Sequence, residues 1–278
     1  MHTLVIGVGY TGQRVLDLLS GEPASGLGRP GFDLDRPPPQ LPTTPQPCAV
    51  LYTVPPRSDT PGDQEPRLHA FLSLLKPLPQ RFVYLSTTGV YGDASGRMVD
   101  ESRPPAPATD RARRRLAAEF LLTRWCAEND VNLLILRVPG IYGPGRLGID
   151  RLSRGIPVIV ESEAHPGNRI HVDDLAACCL RALDSTAPAG IYNVGDGDHR
   201  SSSWFSRKVA ALAGLDAPAE ISRAMAESSL SQSALSFLRE SRIVDTHKMR
   251  SVLGFTPRFT DPENGIKASL PRQNAAGR

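Results

Sequence analysis

The feature that most restricts the fold is a glycine pattern, Gly7-Val8-Gly9-Tyr10-Thr11-Gly12, which closes an apolar run from Thr3 to Val8. A helical pattern follows at once from Gly12 to Leu19, with Val15, Leu16, Leu18 and Leu19 apolar. GxGxxG carries physical meaning only in this strand–turn–helix context. There the first glycine permits a tight turn, the second lets backbone approach a pyrophosphate, and the third allows close helix–strand packing. The helix N-terminus adds unpaired N–H groups and the positive end of a dipole. Gly7, Gly9, Tyr10, Thr11 and Gly12 are therefore expected to bind a dinucleotide. An acidic residue about 20 positions further on would hold a free ribose 2′-OH. That place falls at Gly28-Arg29, with Asp33 and Asp35 later. The planar fork of Arg29 suits a 2′-phosphate, so NADP is the expected cofactor and NAD the alternative.

Apolar strand-like runs at Ala49 to Val54, Phe82 to Ser86 and Asn132 to Val138 alternate with helical patterns at Arg67 to Leu75 and Arg111 to Glu128. This alternation predicts an α/β fold: a Rossmann-type, doubly wound parallel sheet covered on both faces. In the second helix Leu116, Phe120, Leu121 and Trp125 fall on one face, which is expected to be the buried one. Asp110 or Thr109 can cap it. Residues 20–47 hold too many Gly and Pro for a patterned helix, so they read as a long surface loop, with Leu27 and Phe32 to Leu34 as remnants of short strands. Beyond Gly140 the pattern loosens. Pro157 to Glu161 and Ile191 to Val194 read as strands, and Asp173 to Leu183, Trp204 to Leu212 and Thr246 to Leu253 as helices. The expected division is a dinucleotide-binding domain over 1–196, with 140–170 contributing to the substrate lobe, and a small C-terminal substrate lobe over 197–278. Pro271 to Arg278 are expected to fray.

Composition narrows the class. The 278 residues are 40% hydrophobic, enough for a sizeable core, and 32 basic against 29 acidic residues leave a net charge of +3. That bias is too small to point to nucleic acid or a membrane surface. No run approaches the roughly 18 apolar residues of a membrane span, and no charged, apolar signal peptide opens the chain. Cys48, Cys126, Cys178 and Cys179 form no CxxC pair or metal spacing, so reduced cytoplasmic thiols are expected and no metal. His171-Val172-Asp173-Asp174 lacks further ligands nearby; Asp173 or Asp174 is expected to cap the following helix.

Four further segments carry a more specific signal: Phe82-Val83-Tyr84-Leu85-Ser86-Thr87-Thr88-Gly89-Val90-Tyr91-Gly92-Asp93, Leu136-Arg137-Val138-Pro139-Gly140-Ile141-Tyr142-Gly143-Pro144-Gly145, Arg169-Ile170-His171-Val172-Asp173-Asp174-Leu175-Ala176 and Gly190-Ile191-Tyr192-Asn193-Val194-Gly195. With the glycine loop, and in this order, they resemble the extended short-chain dehydrogenase/reductase superfamily, the nucleotide-sugar epimerases and dehydratases. The resemblance implies that Val54, Pro55 and Pro139 also bind cofactor, and that Thr87 stands at the catalytic Ser/Thr position. It breaks at the catalytic pair. The family opens the helix with Tyr-x-x-x-Lys and places Glu four residues later. With that Glu at Glu119, Arg115 takes the Lys position and Arg111 the Tyr position. Such a chain is similar to atypical members, NAD-dependent epimerase/dehydratase family proteins without the pair.

Arg111 keeps its proton and cannot replace a phenol in proton transfer. Arg115, one turn along the same face, can still hold ribose hydroxyls. Tyr91 and Tyr142 are the nearest substitute phenols, and Thr87, Tyr91 and Arg115 are the candidate catalytic residues. Arg111, Arg113, Arg114 and Arg115 can alternatively hold the phosphates of a nucleotide-linked substrate. Two functions remain open: an NAD(P)-dependent oxidoreductase or epimerase acting on a small polar, possibly nucleotide-linked molecule, or a non-catalytic NAD(P)-binding sensor or interaction protein. Superfamily members commonly dimerise through the helices matching 67–75 and 111–128; the first is short here, so a monomer or weak homodimer is expected.

Overall fold

The computed structural model describes residues 2–38, 40–41, 48–229 and 240–271. Its centre is a six-stranded parallel sheet built from β1 (His2–Ile6), β2 (Ala24–Leu27), β3 (Cys48–Tyr52), β4 (Arg81–Thr87), β6 (Asn132–Val138) and β10 (Gly190–Asn193). The spatial order is β10-β6-β4-β3-β1-β2, with Leu51 opposite Val5 and Val83 opposite Leu51. The chain leaves β1 for one edge through β2 and returns to its other side through β3. Such a reversal opens a crevice beyond the carboxyl ends of the strands.

Both faces are covered, as the unbroken apolar runs require. On one face Val5, Leu51, Val83, Leu134 and Leu136 pack against α1 (Tyr10–Leu18) and α5 (Val172–Leu183) through Val15, Leu175, Cys178 and Cys179. On the other, Leu4, Ile6, Tyr52, Phe82 and Tyr84 meet Leu68 and Phe71 of α2 (Pro66–Leu74) and Ala118, Leu122 and Cys126 of α3 (Asp110–Glu128). Alternate residues of one strand thus serve opposite cores. All four cysteines are free and buried. No helix among the described residues is long and apolar enough to cross a membrane.

Two expectations need correction. The fully buried positions of α3 are Ala112, Arg114, Ala118, Glu119, Leu122 and Cys126; Leu116, Leu121 and Trp125 of the expected stripe are partly buried against the core, whereas Phe120 is 64% exposed. Small residues lie where the helix presses onto the sheet. Thr109, one of the two expected caps, caps α3 by accepting from the Ala112 amide at 3.3 Å. In the 20–47 segment, β2 is a true edge strand, while Phe32 and Leu34 are buried core residues outside any strand. Pro39 and residues 42–47 of that loop, and residues 272–278 of the expected frayed end, lie outside the described residues.

Short parallel pairs assemble the second lobe: β5 (Met98–Val99) with β12 (Ile243–Val244), β7 (Gly140–Tyr142) with β9 (Arg169–His171), and β8 (Val158–Ile159) with β11 (Glu220–Ile221). Around them lie α4 (Ile149–Ser153), α6 (Ser202–Ala213), α7 (Arg223–Ser229) and α9 (Pro262–Ser269). β12 returns to β5, and Met249 of α8 (His247–Ser251) enters the core beside Tyr192 and Leu134.

Candidate functional site

The glycine turn faces a cleft of about 470 Å³ at the crevice beyond β1 and β3. Gly7 has φ +98°, and a Cβ there would lie 2.5 Å from Thr53 Oγ1, which itself donates to the Gly7 carbonyl at 2.7 Å. A Cβ on Gly12 would lie 2.2 Å from the Gly7 carbonyl oxygen. Gly9 differs: nothing lies within 4 Å of its ideal Cβ position. Its missing side chain leaves space at the N-terminus of α1, where a pyrophosphate can approach the backbone amides. The residues present therefore fit a dinucleotide. Gly9→Val is expected to leave the melting temperature within about 2 °C and to weaken cofactor affinity at least about tenfold. Gly12→Ala is expected instead to destabilise by roughly 1–3 kcal/mol through overpacking. Thermal melts and calorimetric titration of both variants check the contrast.

Gly7, Gly9, Tyr10, Thr11, Arg29, Val54 and Pro55 line this cleft, and Gly12 lies just behind it. Pro139 does not; it belongs to the wall of the second cavity. At the rim Arg29 Nε donates to Asp33 Oδ1 at 3.0 Å, and its Nη2 pairs with Asp35. Asp35 also receives Arg67 at 2.5 Å and lies 3.7 Å from Arg57. The Arg67 hydrogen bond holds the Asp35 carboxyl below its usual range. Tyr10 is flanked by the guanidinium groups of Arg14 at 4.4 Å and Arg146 at 4.0 Å from its ring centre, and its hydroxyl donates to Pro144 O.

The second cavity, about 780 Å³, lies between the main sheet and the smaller lobe. The two cavities meet at the ends of β4 and β6. Leu85, Ser86 and Val138 face the cleft; Thr87, Thr88, Pro139 and Gly140 face the cavity. Helix α3 spans the same boundary, with Arg115 on the cleft and Arg111 one turn earlier on the cavity. Arg115 is fixed by donating to Leu85 O at 2.7 Å and Tyr84 Oη at 3.2 Å. The arginine run is not one patch: Arg113 pairs with Asp110, and Arg114 donates to Thr60 O. Thr87 Oγ1 accepts from the Gly89 amide at 3.1 Å, so it caps the turn while facing the cavity.

Neither candidate phenol reaches a cavity. Tyr91 is fully buried, donates to Asn193 Oδ1 at 2.7 Å, and lies under the Arg137 guanidinium. Burial pushes its pKa up. In this structure its hydroxyl is bonded within the core and is not open to solvent. Tyr142 is enclosed between His171 and Phe205, and burial likewise raises it. The expected carboxylate cap of α5 is corrected too. His171 caps it, its Nδ1 accepting from the Asp173 amide at 3.2 Å. Asp173 pairs with Arg14, and Asp174 accepts the Arg258 and Phe259 amides at 2.9 Å each. Thiol chemistry is remote, because burial pushes Cys48 up to about 11 and Cys126 up to about 12.

Sequence reasoning missed much of the cavity wall. Arg151, His165, Arg223, Glu240 and Arg242 come from four separate stretches with no motif of their own. Arg146 had a signal, since it directly follows the Tyr142-Gly143-Pro144-Gly145 stretch. Ser86 was also missed: it donates to Glu119, whose carboxylate takes Arg137 Nη2 at 2.7 Å with both side chains 3% exposed.

Comparison with known proteins agrees with this geometry. The model of the NAD dependent epimerase/dehydratase family matches residues 68–195. The protein y4nG of Sinorhizobium fredii is 30% identical over 122 residues, 42% of this chain, which spans only 31% of that relative's length. Protein YeeZ of Escherichia coli K12 is 29% identical over 219 residues, 77% of this chain and 72% of the relative. Among solved structures, a conserved protein of unknown function from Silicibacter pomeroyi superposes with a TM-score of 0.77 at 26% identity, covering 96% of this chain and 98% of the other. The UDP-glucose 4-epimerase of Thermotoga maritima, solved with UDP-glucose, shares the fold with a TM-score of 0.73 at 19% identity, covering 97% of each chain. Residues 68–195 thus match the NAD dependent epimerase/dehydratase family model, and the chain shares its fold with solved epimerase structures.

Proposed function

We propose that this protein is an NADP-preferring enzyme that oxidises or reduces a carbon of a nucleoside diphosphate sugar. The observation that carries the reading is the junction of the two cavities at the ends of β4 and β6, with Arg115 on one side and Arg111 and Thr87 on the other. A cofactor cleft whose lining adjoins that of a separate, larger cavity is the layout for chemistry between two bound molecules. Among the described residues, the cavity wall carries Arg111, Arg151, Arg223 and Arg242 with one carboxylate, Glu240, which Arg242 pairs at 2.8 Å. That charge balance favours an anionic substrate such as a diphosphate.

The turn from Gly7 to Gly12 and the start of α1 would hold the pyrophosphate, Val54 and Pro55 the adenosine half, and Arg115 the ribose hydroxyls near the junction. When bound, the nicotinamide supplies hydride exchange. Arg29 is the proposed 2′-phosphate contact. Releasing it leaves Asp35 paired with Arg67 and Arg57, and Asp33 still bonded to the Asp35 amide at 3.0 Å. Neither carboxylate is orphaned by the exchange. Arg29→Ala is expected to lower NADPH affinity roughly 10- to 100-fold and to leave NADH within twofold.

Calorimetric titration with NADPH, NADH, NADP and NAD, then with UDP-glucose on the NADP-loaded protein, tests the reading. Micromolar NADPH affinity with saturable UDP-glucose heat supports it; binding of neither removes it. One observation favours a second reading, a cofactor-responsive binding protein: Arg111, which cannot exchange a proton, stands where the family resemblance expects tyrosine. Cofactor binding without turnover of any sugar nucleotide would select that alternative. The four buried free cysteines fit a reduced, cytoplasmic setting.

A further inference from the structure

We propose that His165 is the proton-exchanging residue of the substrate cavity, in place of the absent tyrosine; the inference rests on the enzymatic reading above. Alcohol–ketone chemistry on a sugar carbon needs a group that takes and returns a hydroxyl proton. Among the described residues, no tyrosine lines the second cavity, and both sequence candidates are walled off from it. The arginines there hold their protons at any working pH. Glu240 commits Oε2 to Arg242, and its Oε1 is buried away from the open cavity. Thr87 and the wall serines ionise only far above neutrality. Among the described residues, His165 is the remaining wall group able to change charge near pH 7.

Its placement suits that task. His165 sits half-buried on the loop between the 3₁₀ turn at Glu161–Glu163 and β9. Anchors just after it hold the loop. The Gly167 amide donates to His199 O at 3.1 Å, Asn168 Nδ2 donates to Arg242 O at 2.8 Å, and Asn168 Oδ1 accepts the Val244 amide at 2.8 Å. The groups facing the imidazole are Arg223 from α7, Asp93 from the loop after β4, and the backbone of Glu240. Burial, with Arg223, holds its pKa below the ordinary histidine value, so the ring is neutral and basic at pH 7.

In the oxidising direction, the substrate C–H and O–H bonds break and a C=O bond forms. The carbon's hydrogen leaves with its electron pair to oxidised NADP, and the hydroxyl proton moves to the neutral imidazole, which becomes imidazolium. Reduction returns both. The rate therefore falls as pH drops through the lowered His165 pKa.

The test compares wild type with His165→Gln and His165→Asn, all loaded with oxidised NADP and given UDP-glucose, dTDP-glucose, GDP-mannose or UDP-N-acetylglucosamine. The expected result is a loss of at least about a hundredfold in kcat with KM within threefold, and loss of the acidic limb of the pH profile. Imidazole resonances of His165, assigned by their absence from the variants, are expected to titrate below pH 6.5 and to shift when the sugar nucleotide binds. Sugar nucleotide heat with unmoved His165 resonances, or variants that keep turnover and the acidic limb, overturns the inference and leaves the enzymatic reading standing. No heat with any of the four removes that reading, and with it the step assigned to His165.

Discussion

Glu119→Ala is expected to cost the fold about 3–5 kcal/mol, measured as the shift in urea unfolding free energy. Glu119 and Arg137 are each 3% exposed and face one another between α3 and β6, at 2.7 and 3.2 Å. Ser86 adds its hydroxyl to the same carboxylate. Removing Glu119 leaves a guanidinium without its counter-charge in the interior, where the desolvation penalty is no longer offset. Arg137 is then left with Tyr91, whose ring centre lies 4.8 Å from its guanidinium carbon. Replacing the pair together, as Glu119→Leu with Arg137→Met, is expected to recover most of the loss because no charge is then buried. A single-variant cost below about 1 kcal/mol, the range of exposed ion pairs, would show that water reaches Arg137 and that the pair is not sealed.

Stability is expected to fall with rising pH between about 4 and 7, through Asp196. This carboxyl is 1% exposed. Oδ1 accepts the Asp198 amide at 2.8 Å, while Oδ2 is buried with no partner. Burial pushes its pKa up to about 7, the Asp198 amide and Arg169 opposing the rise. Below its unfolded value both states hold the proton and the fold carries no penalty. Between the two values only the folded state stays protonated, so each rise in pH favours unfolding. Above about 7 the charge is buried and the full penalty is reached. The span corresponds to something on the order of 4 kcal/mol. Asp196→Asn keeps an oxygen for the Asp198 amide and removes the ionisation. It is expected to raise stability at pH 8 by roughly 2 kcal/mol and to abolish this part of the slope. Calorimetric melts of both proteins from pH 4.5 to 8 check it; a wild-type-to-variant difference that does not change with pH would falsify the assignment.

The family resemblance and the glycine turn were legible because each rests on local chemistry. Gly7 and Gly12 are imposed by contacts within one strand–turn–helix unit, and β4 and β6 announce themselves by unbroken apolar runs. Asn132–Val138 is reproduced residue for residue as β6. Failures came where a side chain's role depends on what another part of the chain brings to it. Phe120 belongs to an apolar stripe, yet the sheet presses on Ala118 and Leu122 instead. Tyr91 stands four positions after Thr87 in the motif, yet Asn193, 102 positions on, closes over its hydroxyl. Asp174 opens a helix like a cap, yet it is spent on the amides of Arg258 and Phe259.

From sequence alone came the doubly wound sheet and the place of the glycine turn, since periodicity and short-range spacing encode both. Tertiary structure decided which charges converge. Asp33 and Asp35 gather at Arg29, Arg115 and Arg111 divide between two cavities, and His165 joins residues as distant as Thr87 and Arg242 on one wall. The physical reason is reach. A strand or a turn is specified by neighbours a few residues apart, whereas burial, and with it charge pairing and proton affinity, is set by segments that meet only when the sheet and the lobe close on one another.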